Sequence, residues 1–146
     1  MQTVIVERLI AASPEKVFDV LSDHANYKSF PGVKDSYLTS EGKPHKNGVG
    51  AVRHIVTPGI WFDEQITHFD RPKRFDYKII RSNIPLEHQV GSVRLEAVGT
   101  GTKVTWTTVM RVKLPLVGGL LTKLAAGKLG QAFGGMLKET ERRVAA

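Results

Sequence analysis

The chain has 146 residues, a formal net charge of +7 and no cysteine. That length suits one domain around one core, expected to span 1–146, and the missing cysteine excludes a disulfide framework, a thiolate nucleophile and a cysteine-bound metal. The basic residues are scattered along the chain, so the charge reads first as a solvated surface and not as a nucleic-acid footprint.

Met1 leads directly into "QTVIVERLI", with no basic leader and no small-residue cleavage site, and a cytoplasmic location is the expectation. Thr3–Ile10 alternates as a strand, with Val4, Val6 and Ile10 on one face. "SPEKVFDVLSD" then starts a helix: Ser13 caps it, Pro14 suits its first position, Glu15 favours the positive end of its dipole, and Val17, Phe18 and Leu21 form the inner stripe. "HANYKSFPG" predicts a second short helix or turn, stopped at Pro31–Gly32.

From Val33 to Lys113 the apolar period drops to two. Strands are predicted over 34–41, 49–57, 61–69, 74–81, 88–98 and 103–113, separated by "EGKPHKNG", "TPG", "DRPK", "SNIPLE" and "GTGT". Pro58, Pro72 and Pro85 fall between these runs, where a missing amide donor does least harm. After Pro115 the helical period returns. The fold class is α+β: seven antiparallel strands, two short helices after the first, and one long C-terminal helix, with the curled sheet burying its apolar face on that helix.

The closing helix is odd. "LAAGKLGQAFGGMLKETERR" holds Gly127, Gly130, Gly134 and Gly135, each costing about 1 kcal/mol relative to alanine in a helix. Ala126, Leu129, Phe133, Met136, Leu137, Thr140 and Val144 share one face, and the glycines run along its flank. Their missing side chains either admit a strand or loop at close range or leave volume for a ligand. Val117, Leu120, Leu121 and Leu124 lie nearly half a turn from that stripe, so either the helix bends near Gly127, as a lid over a cavity, or these leucines face something mobile. Lys123 and Lys128 interrupt the longest apolar stretch, which rules it out as a membrane span.

Several polar residues sit at apolar positions. In "IWFDEQITHF" the inner set is Ile60, Phe62, Glu64, Ile66 and His68, and Glu64 needs a cation, water or ligand. Arg53, on the hairpin partner, can reach it across the short "TPG" connection, either as a rim salt bridge or as a polar anchor within an apolar pocket. Phe75, Tyr77 and Ile79 form the matching set on the next strand. Gln89 and Gly91 share parity with Val93, Leu95 and Ala97 and are expected to line the cavity, unless a bulge shifts the register. Three connections carry apolar tips: Pro58–Gly59–Ile60–Trp61, Ile84–Pro85–Leu86 and Leu114–Pro115–Leu116–Val117. Together they suggest a mouth, as a gate or a membrane-touching rim.

No catalytic constellation stands out. The five histidines show no metal-ligand spacing, and His54 with His68 offers at most two ligands, so no metal or cofactor is expected. Thr122 stands where a phosphate loop ending in "GKL" would need glycine, and no serine lies in a GxSxG elbow.

Taken together, "SPEKVFDVLSDHANYKSFPGV", "GVGAVR", "DEQITHFDRPKRFDYKII" and "TKVTWTTVM" before the closing helix resemble the START-like superfamily, in its polyketide cyclase/dehydrase and lipid-transport branch. The resemblance covers almost the whole chain and implies the helix-grip fold, a strongly curved seven-stranded sheet around the C-terminal helix. It implies a ligand pocket but no single activity, since relatives include cyclases, lipid carriers, quinone-binding proteins and hormone receptors. The chain is also similar to the plant abscisic-acid receptor branch: Lys28, Arg53 and Glu64 match its polar pocket positions, while "TPGI" and "NIPLE" match its gate and latch loops. The receptors' characteristic loop sequences are absent, so hormone sensing is not implied, and Gln89 stands where relatives often have an aromatic residue.

Three functions follow as expectations. The leading one is binding of a hydrophobic small molecule (a lipid, isoprenoid or polyketide-like compound) between the sheet and Leu129, Phe133 and Leu137, with Lys28, Arg53 and Glu64 orienting its polar end and Ile66, Tyr77 and Gln89 lining the cavity. Pro58, Gly59 and Ile60, with Ile84, Pro85 and Leu86, would gate it. The second is a cyclase or dehydratase using Glu64 as acid and base. The third is a module contacting ribosomes or a membrane surface peripherally through basic residues, among them Lys123, Lys128, Lys138, Arg142 and Arg143. Oligomeric state is not legible.

Overall fold

The computed structural model describes residues 1–145. It contains β1 (Gln2–Ile10), α1 (Pro14–Leu21), a 3-10 helix (His24–Ser29), β2 (Asp35–Ser40), β3 (Val52–Thr57), β4 (Ile60–Asp70), β5 (Arg74–Ser82), β6 (Leu86–Val98), β7 (Gly101–Val112) and α2 (Gly118–Val144). The local signals act where they stand. Ser13 Oγ accepts from the Lys16 amide at 3.4 Å, Pro14 opens α1, and Val17, Phe18 and Leu21 are fully buried. Thr57 pairs with Ile60 across a two-residue turn, in which Pro58 pre-sets its own φ and Gly59 takes φ 82°, a region other residues avoid.

All pairings are antiparallel, in the order β1-β7-β6-β5-β4-β3-β2. The strands from β2 to β7 meander, and β1 joins the far edge beside β7. The sheet is curved and grips α2, which packs on β1, β7 and α1. Phe18, Phe75, Val93, Val104 and Leu137 fill the closed part of this interior. On the 25 cal/mol/Å2 scale such side chains each contribute about 1.5–3 kcal/mol.

Some sequence expectations need correction. The predicted strand 49–57 begins only at Val52, because Val49–Ala51 end the long β2–β3 connection, with Gly50 at φ 90°. The strand placed at 88–98 starts earlier, at Leu86, inside the cluster read as a turn. His68, assigned to the inner face, is exposed: an irregularity between Ile66 and His68 turns Phe69 inward instead, where its ring meets Phe18 edge-on at 5.2 Å.

The closing helix corrects two further expectations. α2 runs unbroken from Gly118 to Val144, so no separate segment is split off at Gly127. Nor do its glycines admit close neighbours. A Cβ added at Gly127, Gly134 or Gly135 would meet nothing within 4 Å, and at Gly130 only Val4 Cγ1 at 3.8 Å. None of the four lines the cavity described below. The close approach lies elsewhere, at Gly91, where an added Cβ would fall 2.2 Å from the Tyr77 ring.

Candidate functional site

Between the sheet and α2 lies a cavity of about 490 Å3, lined almost entirely by apolar side chains. Its volume falls within the range of small-molecule sites. From α2 come Ala125, Leu129, Ala132, Phe133 and Met136; from the sheet come Ile55, Phe62, Ile79, Trp106 and Met110. The cavity exists because the inner faces of β3–β7 present these side chains while α2 offers two alanines where larger residues would fill the space. Phe133 and Trp106 stack at 4.3 Å between centroids and 9° between planes, forming a flat wall.

The floor is polar. Arg53 and Glu64 face each other directly across β3 and β4, and Arg53 Nη2 donates to Glu64 Oε1 at 2.6 Å. Their side chains are only 1% and 4% exposed, so this is a buried pair and not a rim salt bridge. His24 Nε2 stands 3.7 Å from the same oxygen, beyond hydrogen-bonding distance. Burial raises the Glu64 carboxyl above the usual carboxylate range, with Arg53 opposing the shift. Burial, aided by the Arg53 charge, holds His24 well below its ordinary value, so its ring is neutral. Among the described residues four buried nitrogens here find no hydrogen-bond partner: His24 Nδ1 and Nε2 on the cavity lining, and Arg53 Nε and Nη1 behind it. Unpaired buried polar atoms are costly and rare in folded proteins, and the neutral His24 ring offers one donor and one acceptor.

One wall carries two separate sets of hydrogen-bonded side chains. Trp106 Nε1 donates to Tyr77 Oη at 2.8 Å. The Ile79 amide donates to His88 Nδ1 at 3.0 Å, so the neutral ring carries its proton on Nε2 and donates to Thr108 Oγ1 at 2.7 Å. Burial, then the Lys78 charge, lowers the His88 pKa to about 4. The Tyr77 and His88 rings stack at 5.6 Å, over Gly91, the Cα partner of Tyr77.

The mouth is formed by Pro58, Gly59, Ile60, Ile84 and Leu86, with Lys128 of α2 opposite. Asn83 ties the β5–β6 connection to the β3–β4 turn: its Nδ2 donates to Gly59 O at 3.2 Å and its Oδ1 accepts from the Trp61 amide at 3.0 Å.

Of the residues singled out in the sequence, Glu64, Tyr77, Leu129 and Phe133 line the cavity, and Arg53 lies behind Glu64. Besides Arg53, five do not line it. Lys28 is exposed on the 3-10 helix, where its amide binds Ser36 Oγ at 2.8 Å. Gln89 points outward, because the irregularity between His88 and Val90 rotates His88 inward in its place. Ile66 and Leu137 belong to the closed core, with no exposure to spare, and Pro85 is an exposed part of its loop that does not reach the lining. His54 does not approach His68; its cross-strand neighbour is Asp63, bonded at 2.6 Å. Among the described residues no three His, Cys, Asp or Glu side chains gather as a metal site.

The sequence reading missed His24, His88, Trp106 and Thr108. Trp106 and Thr108 share parity with Val104 and Met110, so alternation alone identifies their face. His24 and His88 carry no such signal, one sitting on a 3-10 turn and the other at a bulge.

A family model described as polyketide cyclase / dehydrase and lipid transport matches residues 1–145. The chain belongs to this family. Among solved structures it is similar to TTHA0849 from Thermus thermophilus, at 23% identity and a TM-score of 0.81, covering 99% of this chain and 97% of that one. It is also similar to a START superfamily protein from Mycobacterium smegmatis (19% identity, TM-score 0.79, covering 98% and 97%) and to Ara h 8.0201 (20%, 0.74, covering 99% and 97%). At these identities the likeness establishes the helix-grip fold. No curated protein matches the sequence. Among the described residues no helix is long and apolar enough to cross a membrane.

Proposed function

We propose that this family member binds one hydrophobic small molecule in the cavity, with an oxygen-bearing end at the floor. The observation that carries this reading is the pairing of an apolar chamber with the buried, unpartnered His24 imidazole and the Glu64 carboxyl on its lining. A carbonyl, hydroxyl or carboxylate oxygen accepts from His24, beside the Glu64 carboxyl that Arg53 holds from behind, and the hydrocarbon body lies against Leu129, Phe133 and Trp106. A lipid, isoprenoid or polyketide-like compound has this chemistry. The family's description and fold support the same class of guest.

The test is displacement of a lipophilic fluorescent dye by such compounds, together with mass spectrometry of material extracted from the purified protein. Ala125→Phe fills the chamber from α2 and is expected to abolish dye binding while circular dichroism stays unchanged. Equal dye binding by that variant would overturn the reading.

Glu64 favours a second reading, a cyclase or dehydratase. Its carboxyl lines the chamber and burial raises its pKa toward the range useful for proton transfer. Glu64→Gln would then abolish turnover of a polyketide substrate and spare its binding. Loss of binding as well would leave Glu64 as an anchor only.

A further inference from the structure

One end of the molecule carries apolar side chains that the fold does not use. Leu116 is 106% exposed, Leu120 64% and Leu124 58%. Leu116 also has φ 68°, the left-handed region that favours glycine, so its backbone projects the side chain at a conformational cost that no packing offsets. Leu120 and Leu124 are one turn apart on α2, and the row they begin continues through Lys128 to Ala132, both on the cavity mouth.

The patch and the mouth form one continuous surface. The Lys113 amide donates to Pro85 O at 2.7 Å, holding the turn before α2 beside the latch loop, which Asn83 in turn ties to the β3–β4 turn. The segment that carries the leucines is basic. Between Glu96 and Glu139 the sequence has no acidic residue. Lys113 and Lys123 flank a groove of about 680 Å3 where β7 ends and α2 begins, and the positive end of the α2 dipole adds to the field there. The one cation nearby that is engaged is Arg111, which donates to Glu87 at 2.9 Å. At the far end of α2 carboxylates stand among the cations: Arg142 and Arg143 share Glu139, and Arg8 holds Glu141. The leucine-bearing half of the helix carries Lys123 and Lys128 and no carboxylate at all.

We propose that this face docks on an anionic phospholipid bilayer, with Leu116, Leu120 and Leu124 among the acyl chains, Lys113 and Lys123 at the headgroups, and the cavity mouth turned toward the lipid. Aliphatic side chains ringed by lysine suit a bilayer interface. A nucleic-acid surface instead favours arginine and aromatic platforms. Docking itself does not require a guest in the cavity; only the role of docking in loading one rests on the binding reading above.

The experiment is cosedimentation with phosphatidylcholine vesicles, with and without phosphatidylglycerol, across a salt series. Binding is expected only to the anionic vesicles and weakens as salt rises. Lys113→Gln and Lys123→Gln each lower it about fivefold. A triple variant, Leu116→Ser with Leu120→Ser and Leu124→Ser, lowers it more than tenfold, with melting temperature and dye binding in the cavity unchanged. Three results would overturn the proposal: a triple variant that binds as the wild type does, a wild type that pellets with ribosomes but not with vesicles, or a leucine-dependent dimer with no vesicle binding. Vesicle binding without any dye binding would uphold docking and remove the cavity reading instead.

Discussion

Removing Glu64 tests the floor of the cavity most sharply. In Glu64→Leu the Arg53 guanidinium stays charged at any accessible pH and loses its 2.6 Å partner at a position 1% exposed. Breaking a buried pair from one side costs about 3–5 kcal/mol. For a chain of this length that lowers the melting temperature by roughly 10 °C. Arg53→Met is expected to cost less at low pH, because a lone Glu64 can take up a proton. Burial already raises its pKa, so the variant's stability is greatest below the ordinary carboxylate pKa and falls as pH rises through the folded value. The double variant Arg53→Met/Glu64→Leu removes both charges and is expected to recover most of the loss. Urea unfolding of all four proteins at constant m-value closes the double-mutant cycle. Costs that simply add, with no recovery in the double variant, would refute the buried-pair reasoning.

Acid is expected to destabilise the protein through His88. Its pKa is about 4 in the fold, against about 6.5 when unfolded. Its contribution is therefore complete above pH 6.5 and lost as pH falls toward 4, on the order of 3 kcal/mol in all. Urea midpoints measured over that window in wild type and His88→Asn check it; identical slopes refute it. Gly91→Ala drives a Cβ to 2.2 Å from the Tyr77 ring, so a loss of about 1–3 kcal/mol with diminished dye binding is expected, and a neutral result in thermal melts would count against this packing. Gly127→Ala and Gly134→Ala meet open space, and each is expected to stabilise by about 0.4–1 kcal/mol. Destabilisation in the same melts would show that these positions need glycine after all.

The architecture was legible because its signals are local. Ser13–Pro14, the period-two runs and the turn at Pro58–Gly59 act through neighbours a few residues away, and the structure follows each of them. The candidate site was legible only where strand parity ran undisturbed. Arg53 and Glu64 meet because a two-residue turn sets their register. Gln89 and His68 were misassigned because an irregularity in a strand offsets the facing of the side chains on its two sides, and alternation carries no mark of where the extra residue lies. Lys28 matched a family position yet points to solvent.

Order of elements, the first helix cap, the hairpin turns and the scarcity of acid near α2 are properties of adjacent residues, so the chain alone dictated them. Where space remains inside is a different kind of quantity. It depends on how far α2 stands from the sheet, on which of Leu129, Ala132 and Leu137 face the hollow or the packed core, and on whether His24 and Arg53 find partners. Those distances join residues remote in sequence, and only the closed tertiary structure, with its curvature and its bulges, determines them.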